Sequence, residues 1–285
     1  MFESWQPMPS SRRFCQVDVF TAKAYLGNPV AVVLDAEGVP DDDMRRIARW
    51  TNLSETTFVL PPTNAGADYR LRIFTPAEEL AFAGHPTLGT CHAWLTHGGR
   101  PRDPRRIVQE CAAGLITVRP STAGLEFAAP PLIHQGELEA DVAAEVLRSL
   151  RLQSEDVTAM AWADNGPGWV AVLLPSAEAV LALAPLYTGR KIGVAGPLPA
   201  GSSEALEVRA FFPKDGAMAE DPVTGSLNAS LAQWLIGSGR IRAPYVARQG
   251  TALGRAGRVH VSQGADGSIW IGGGAVTCIE GQIEI

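Results

Sequence analysis

Three side chains that can carry protons stand where the chain is predicted to change its local structure. Glu55 lies at the entry to an apolar strand, and His85 and Asp221 each precede a proline suited to begin a helix. Carboxyl and imidazole groups in a dry cleft can have pKa values near neutrality, so they can remove and return protons. Position alone also allows structural roles, with Glu55 as a surface carboxylate and Asp221 as a helix N-cap.

Small residues at the same two helix starts suit the binding of an anion. Gly84 directly precedes His85, and Gly225 and Ser226 follow Asp221 within five residues. The free N–H groups of a first helical turn and a serine hydroxyl can both donate to a carboxylate. The alternative is that the glycines only allow two backbones to pack closely.

The segments around His85 and Asp221 belong to an internal repeat. Pro86 and Gly89 match Pro222 and Gly225 at the same spacing. Three further pairs of segments match in the same order: 30–34 with 170–174, 71–76 with 208–213, and 114–118 with 257–261, the last pair each preceded by a glutamine. A repeat of this kind predicts two similar halves. If a pseudo-two-fold axis relates them, both helix starts point into one cleft between the halves.

Apolar periodicity predicts four main helices among many strands. The helices are predicted at 41–51, 86–97, 138–150 and 222–236, with a short one between residues 174 and 207. The strands are predicted at 14–20, 30–34, 56–60, 69–74, 107–111, 115–119, 157–163, 170–174, 207–212, 245–248, 258–261, 269–271 and 276–279. Ile47, Ala48 and Trp50 are predicted to face the core, and Gly272–Gly274 is predicted to be a turn. One principal helix and many strands in each half predict an α+β fold of two pseudo-symmetric lobes.

Pro130 and Pro131 mark the predicted boundary between the lobes. The N-terminal lobe then covers residues 14–130 and the C-terminal lobe residues 131–275. The final strand, near 276–285, is expected to return to the first lobe, and residues 1–13 are expected to be a loose tail.

Composition excludes several classes of protein. The 285 residues carry a net charge of −6, which gives no footprint for nucleic acid, and no apolar run reaches membrane-spanning length. The four cysteines lack metal-ligand spacing, and neither a phosphate loop nor a dinucleotide fingerprint is present. No segment of signal-peptide character is found near Met1, so a reducing, cytoplasmic location is expected.

Five segments resemble the signature segments of the PhzF-like (phenazine biosynthesis-like) proteins. They are residues 27–32, 52–56, 74–76, 83–89 and 220–226. This family shares the diaminopimelate epimerase fold, so the resemblance implies two lobes, each an open barrel-like sheet around a central helix. It also implies a site between the lobes, no metal, no organic cofactor and a homodimer.

The resemblance implies a role for each candidate residue. Glu55 takes the place of the family's general acid/base, with His85 and Asp221 beside it. The substrate-contacting positions carry over to Ser54, Gly84, Gly225 and Ser226. The phenazine enzyme isomerises a dihydro-3-hydroxyanthranilate by moving a proton along a conjugated system.

Three functions remain open at this stage. The first is a cofactor-independent isomerase of a small carboxylate. The second is an amino-acid epimerase of the same fold, although related epimerases use a cysteine at each helix start and neither helix start here carries one. The third is a non-catalytic binder of small molecules.

Overall fold

A mixed sheet with few helices forms the computed structural model of the chain, which describes residues 10–285. The helices of this part are α1 (Asp41–Thr51), α2 (Gly84–Thr96), α3 (Ala140–Leu150), α4 (Ala177–Leu181) and α5 (Gly225–Gly237). The strands are β1 (Ser11–Val19), β2 (Asn28–Val33), β3 (Glu55–Leu60), β4 (Tyr69–Phe74), β5 (Glu79–Leu80), β6 (Ile107–Cys111), β7 (Gly114–Ser121), β8 (Gly124–Ala128), β9 (His134–Gly136), β10 (Ala159–Asp164), β11 (Trp169–Leu173), β12 (Lys191–Pro197), β13 (Leu206–Lys214), β14 (Ala217–Asp221), β15 (Tyr245–Gln249), β16 (Gly257–Gln263), β17 (Ile269–Gly273) and β18 (Ala275–Glu284). None of these helices is long and apolar enough to cross a lipid bilayer.

The strands of the two halves pair in the same pattern. In the first half β1 pairs with β2 antiparallel, β2 with β3 parallel, β3 with β4 antiparallel, and β4 with both β5 and β6. In the second half β10 to β15 repeat these pairings with the same directions. The hairpins β6–β7 and β15–β16 also correspond. The predicted α+β fold with two similar halves is therefore confirmed.

The two halves exchange their last strands. β18, at the end of the second half, pairs along the whole of β1, with Ser11 opposite Glu284 and Val19 opposite Ala275. β9, which follows the first half, pairs with β10. β8 and β17 pair directly, so one sheet runs through both halves. The pairing of β18 with β1 supports the proposal that the N-terminal lobe comprises residues 14–130 and the final strand. The proposed C-terminal lobe is then residues 131–275.

The N-terminal tail is shorter than the sequence suggests. β1 begins at Ser11, so residues 11–13 are strand because they pair with β18. Residues 1–9 of the expected loose tail lie outside the described residues.

Each half packs its sheet around one buried helix. α2 contacts β1, β2, β3 and β8, and α5 contacts β10, β12 and β17. Most residues of both helices are buried on all sides, which is typical of a helix enclosed by a core. Gly89 of α2 lets the helix lie directly on the sheet, because a Cβ there would lie 2.5 Å from Val30 Cγ1.

The structure corrects the predicted inner face of α1. Met44 and Ala48, four residues apart, are each 1% exposed and mark the face that packs on the core. Trp50 is 81% exposed, so its prediction as a core residue is wrong. Trp50 lies two positions after Ala48, which is about 200° further round the helix, so its side chain points to solvent.

Five strands, β5, β8, β9, β12 and β14, are missing from the prediction. The most important is β12, which lies between β11 and β13 and contains Gly193 and Gly196. A glycine within an apolar run usually indicates a loop. Here both glycines lie in a strand, where the missing side chain allows another segment to pack closely. A Cβ on Gly193 would lie 2.0 Å from Leu227 Cδ1 of α5. Gly272 and Gly273 end β17 rather than forming the predicted turn, because each packs against a neighbouring segment.

A bidentate ion pair is repeated in the two halves and allows a matched test. Arg72 binds Glu79 through two bonds of 2.8 Å, and Arg209 binds Glu220 through bonds of 2.6 and 3.0 Å. Breaking a buried pair leaves an uncompensated charge, so Arg209→Met should lower the free energy of unfolding by about 3–5 kcal/mol. Arg72→Met should cost clearly less, because the Arg72 and Glu79 side chains are 22% and 27% exposed against 8% and 9% for the second pair. Urea unfolding of both variants checks this, and equal losses would contradict it.

Candidate active site

The first turns of α2 and α5 meet at two glycines. A Cβ on Gly84 would lie 3.1 Å from the Cα of Gly225, and the reverse distance is also 3.1 Å. Neither helix begins where the prolines predicted. α2 begins at Gly84 after Ala83, so His85 is its second residue and Pro86 its third. Pro86 is still acceptable there, because the first four N–H groups of a helix have no partner inside the helix.

Asp221 is not the N-cap of α5. Thr224 takes that position, and Asp221 is the last residue of β14. The Asp221 carboxylate Oδ2 accepts a hydrogen bond of 2.5 Å from the Thr224 hydroxyl. Asp221 therefore supports the cap residue from outside the helix.

The contact of the two glycines also corrects the alignment of the repeat at the helices. Gly84 corresponds to Gly225, so the match of Gly89 with Gly225 is five residues out of register. Two buried glutamines agree with the corrected alignment. Gln109 Nε2 donates to Thr87 Oγ1 of α2 at 3.0 Å, and Gln249 Oε1 accepts from Asn228 Nδ2 of α5 at 2.8 Å. Since His85 then corresponds to Ser226, the two helix starts carry different chemistry.

The three candidate acid/base residues converge at this junction. Glu55, at the start of β3, places its Oε2 3.0 Å from His85 Nε2, and these side chains are 14% and 6% exposed. The two atoms are not aligned as a full hydrogen bond, and neither has another protein partner within residues 10–285. Asn28 joins the cluster to Asp221, because its Nδ2 lies 2.9 Å from Asp221 Oδ1 and 3.4 Å from His85 Nδ1.

Burial and neighbouring charges raise the pKa values of Asp221 and His85. Burial raises the pKa of Asp221 to about 6, and nearby Glu55 adds to the effect, while His85 and hydrogen bonds from Thr224 and Asn28 oppose it. Burial lowers the pKa of His85, but the negative charges of Glu55, Asp221 and Asp18 outweigh it and leave that pKa raised. Groups shifted in this way are suited to proton transfer.

The predicted substrate-binding residues have different surroundings. Ser226 is partly buried, and its Oγ accepts a hydrogen bond of 3.1 Å from Trp169 Nε1. Its carbonyl accepts from Asn165 Nδ2 at 3.0 Å. Gly84 and Gly225 lie at the junction itself, whereas Ser54 is exposed just before β3. The structure thus brings three of the four binding candidates to the acid/base cluster, with Ser54 at its outer side.

Sequence analysis missed Asn28 and Asp18 as parts of the site. Asn28 lies in the signature segment 27–32 without an assigned role there, but it begins β2 and is fully buried. Asp18, 2% exposed, accepts a hydrogen bond from the Gly27 backbone N–H at 2.9 Å and so holds the backbone that carries Asn28. The signal available was an asparagine fixed between a glycine and a proline.

Two cavities lie away from the acid/base cluster. One of about 420 Å³ lies beside Arg119 and Trp270, and one of about 500 Å³ lies beside Trp94 and His97. Within residues 10–285, no set of three or more His, Cys, Asp and Glu side chains is arranged to hold a metal ion.

The raised pKa of Asp221 gives a testable dependence of stability on pH. The stability from this group is complete below the unfolded pKa of about 4 and is lost as the pH rises through about 6. Between about pH 4 and pH 7, the free energy of unfolding of Asp221→Asn should therefore fall by up to about 3 kcal/mol less than that of the original chain. Asp35→Asn is the control of opposite sign, because a hydrogen bond from Arg13 lowers the pKa of Asp35. Urea unfolding at stepped pH measures both, and parallel curves for Asp221→Asn and the original chain would contradict the assignment.

Comparison with known proteins places the chain in a family. The sequence profile of the phenazine biosynthesis-like proteins matches residues 17–281. A Pseudomonas fluorescens protein named trans-2,3-dihydro-3-hydroxyanthranilate isomerase is 38% identical, over 84% of this chain and 86% of its own length. Antisense-enhancing sequence 1 of Schizosaccharomyces pombe is 37% identical, over 94% of this chain and 97% of its own length.

Solved structures agree with this placement. The crystal structure of a PhzF-family phenazine biosynthesis protein from Bacillus anthracis matches with a TM-score of 0.78, at 24% identity, over 97% of this chain and all of that one. This likeness shows that the fold is shared. On the sequence profile, the isomerase relatives and the fold together, the chain belongs to the phenazine biosynthesis-like (PhzF) family and is an isomerase.

Proposed function

We propose that this isomerase moves one proton between carbons of a small cyclic carboxylate, with its own side chains as acid and base. The observation that carries the proposal is the meeting of Glu55, His85 and Asp221 where α2 and α5 touch. Relatives at 34–38% identity are named trans-2,3-dihydro-3-hydroxyanthranilate isomerase, which supports a carboxylate on an unsaturated ring as the substrate class.

Glu55 is the group that removes the proton. As a carboxylate it takes a proton from an activated C–H bond, and the electron pair left behind spreads over the conjugated system. A proton is then returned to another carbon of that system. The product has the same atoms and charge as the substrate, with its double bonds shifted.

His85 and Asp221 support this transfer from two sides. His85 Nε2, 3.0 Å from Glu55 Oε2, stabilises the carboxylate form that accepts the proton. Asp221, whose pKa burial raises to about 6, is partly protonated near that pH and can donate to the substrate. Groups with different surroundings can divide acid and base roles in one site.

The substrate carboxylate rests on the first turn of α5. The N–H groups of Gly225 and Ser226 lie in a helical turn whose dipole favours an anion. Because Trp169 Nε1 already donates to Ser226 Oγ, the hydroxyl hydrogen of Ser226 is left to donate to the substrate. Gly84 allows the first turn of α2 to contact that of α5, and Ser54 lies at the outer side of this junction.

The reaction can be tested with a substrate panel in D2O. The purified chain is incubated with trans-2,3-dihydro-3-hydroxyanthranilate and related amino- and hydroxy-substituted cyclic acids, and the products are followed by NMR. We expect a shifted double bond and one solvent deuterium at the newly protonated carbon. Amino-acid stereoisomers are assayed in parallel. Inversion of an amino acid without a double-bond shift would assign the chain as an epimerase instead, and no exchange with any compound would contradict acid/base catalysis.

A homodimer in the cytoplasm is the setting we expect for this activity. The family resemblance supports the dimer, and the four free thiols at Cys15, Cys91, Cys111 and Cys278 suit a reducing compartment. Light scattering on the purified chain should give twice the mass of one chain, and a monomer mass would contradict the dimer.

A further inference from the structure

Asn28 links the acid/base groups of the two halves. Its side chain is fully buried at the start of β2, in the first half of the repeat. Its Nδ2 donates to Asp221 Oδ1 and to the carbonyl of Val223, both at 2.9 Å and both in the second half. The same nitrogen lies 3.4 Å from His85 Nδ1.

The two shorter contacts fix the orientation of the Asn28 amide. Asp221 Oδ1 and the Val223 carbonyl are both acceptors, so the amide nitrogen, which only donates, must face them. The reversed amide would turn its oxygen toward two acceptors and lose both bonds. In this orientation the Asn28 oxygen has no protein hydrogen-bond partner within the described residues, so no donor favours the reversed amide.

This orientation determines which nitrogen of neutral His85 carries the proton. A proton on Nδ1 would point at the amide N–H₂ of Asn28, and two donors repel each other. Neutral His85 therefore keeps Nδ1 unprotonated and carries its proton on Nε2. That nitrogen lies 3.0 Å from Oε2 of Glu55, the carboxylate that removes the substrate proton.

We propose that Asn28 is a positioning residue that holds His85 in the Nε2–H tautomer and fixes Asp221 across the junction. The inference rests on the proposed function, because it explains how a base at Glu55 is kept ready. The charged groups that face His85 are Glu55 on β3, Asp221 on β14 and Asp18 on β1. All three are acidic. Glu55 Oε2, 3.0 Å from Nε2, and the Asn28 amide nitrogen, 3.4 Å from Nδ1, both favour a proton on Nε2.

The tautomer can be measured without substrate. Long-range ¹H–¹⁵N NMR on histidine-labelled protein distinguishes Nδ1–H from Nε2–H, and a His85→Gln spectrum assigns the signal among the five histidines. In the original chain, at a pH above the His85 pKa, we expect Nε2 protonated and Nδ1 unprotonated. A protonated Nδ1 in neutral His85 would overturn the proposal. Since this measurement needs no turnover, it fails or succeeds independently of the proposed reaction.

Two variants and one control complete the test. Asn28→Asp replaces the donor by an acceptor, so Nδ1 should become protonated and the pH profile of kcat should shift. Asn28→Ala removes the donor without adding charge, so the fraction of neutral His85 with its proton on Nδ1 should rise above that of the original chain, though less than in Asn28→Asp. In both, kcat should fall about 10-fold or more, because a misplaced imidazole proton disables the base it serves.

Thr90→Val is the control for simple destabilisation. It removes a buried hydrogen bond of 2.8 Å between Thr90 and Thr57 in the same core, and neither hydroxyl is hydrogen-bonded to Glu55, His85 or Asp221. We expect it to lower Tm while leaving the tautomer and pH profile unchanged. If the Asn28 variants behave like Thr90→Val in every readout, Asn28 is only structural and the proposal is wrong.

Discussion

Glu55→Gln should abolish proton exchange while the fold and ligand binding persist. The amide keeps the size and polarity of the side chain but cannot accept a proton, so the step assigned to Glu55 has no base. A positioned acid/base group contributes roughly 10²–10⁴-fold to a rate, and we expect a loss of that size in kcat. The measurement is the rate of solvent deuterium entry into substrate and product, with binding followed by calorimetry.

Glu280→Gln is the matched control for this substitution. Glu280 also lies beside a histidine, 3.1 Å from His97 Nε2, but at the far end of α2 and 68% exposed. Its replacement should leave the exchange rate within about twofold, since exposed ion pairs contribute little. If deuterium enters at the normal rate in Glu55→Gln, or falls equally in both variants, the role assigned to Glu55 is wrong.

Gly84→Ala should disable the enzyme by forcing the two helix starts apart. The new Cβ would lie 2.8 Å from Phe127 Cζ, on a fully buried ring, and 3.1 Å from the Cα of Gly225. The buried Phe127 ring and the Gly225 backbone cannot move aside without disturbing the core. The helix α2 must therefore shift and carry His85 away from Glu55. A displacement of about 1 Å in an active site can cost 10²-fold, and overpacking typically costs about 1–3 kcal/mol of stability. We expect losses of that size in kcat and in urea unfolding.

Gly237→Ala shows what the same substitution does in open space. Gly237 is the last residue of α5, and a Cβ there meets nothing within 4 Å. Alanine is preferred to glycine in a helix, so this variant should be as stable as the original chain or slightly more stable. Full activity in Gly84→Ala, or an equal loss in Gly237→Ala, would contradict close contact of the helix starts as the basis of the site.

The sequence predicts the fold well where periodicity and repetition are strong. α1 lies where the apolar spacing predicted it, and the repeat of an arginine-bearing strand is present in β4 and β13. The prediction fails where a glycine lies in a strand and allows close packing rather than forming a turn, as in β12 and at the end of β17. It also fails where long-range pairing decides the state of a segment, as when β18 makes residues 11–13 a strand.

The candidate site could be predicted in its chemical groups but not in its connections. Glu55, His85 and Asp221 were found because titratable residues at strand and helix starts are conspicuous, and the structure brings them together. Asn28 was not recognised as a site residue, since its place between Gly27 and Pro29 does not show that its amide becomes a buried donor. Its role depends on Asp221, 193 residues away in the chain, and only the folded structure reveals that contact.

A crystal structure of Glu55→Gln with bound substrate is the most direct test of the central claim, that one shared pocket at the meeting of two helix starts carries out the proton shift. Slow turnover in this variant should preserve the substrate. We predict a ligand between residue 55 and Asp221, with its reacting carbon about 3–3.5 Å from the side chain at 55 and its carboxylate on the first turn of α5. A ligand bound instead in the cavity beside Trp94 and His97, with the junction of Gly84 and Gly225 empty, would contradict the account.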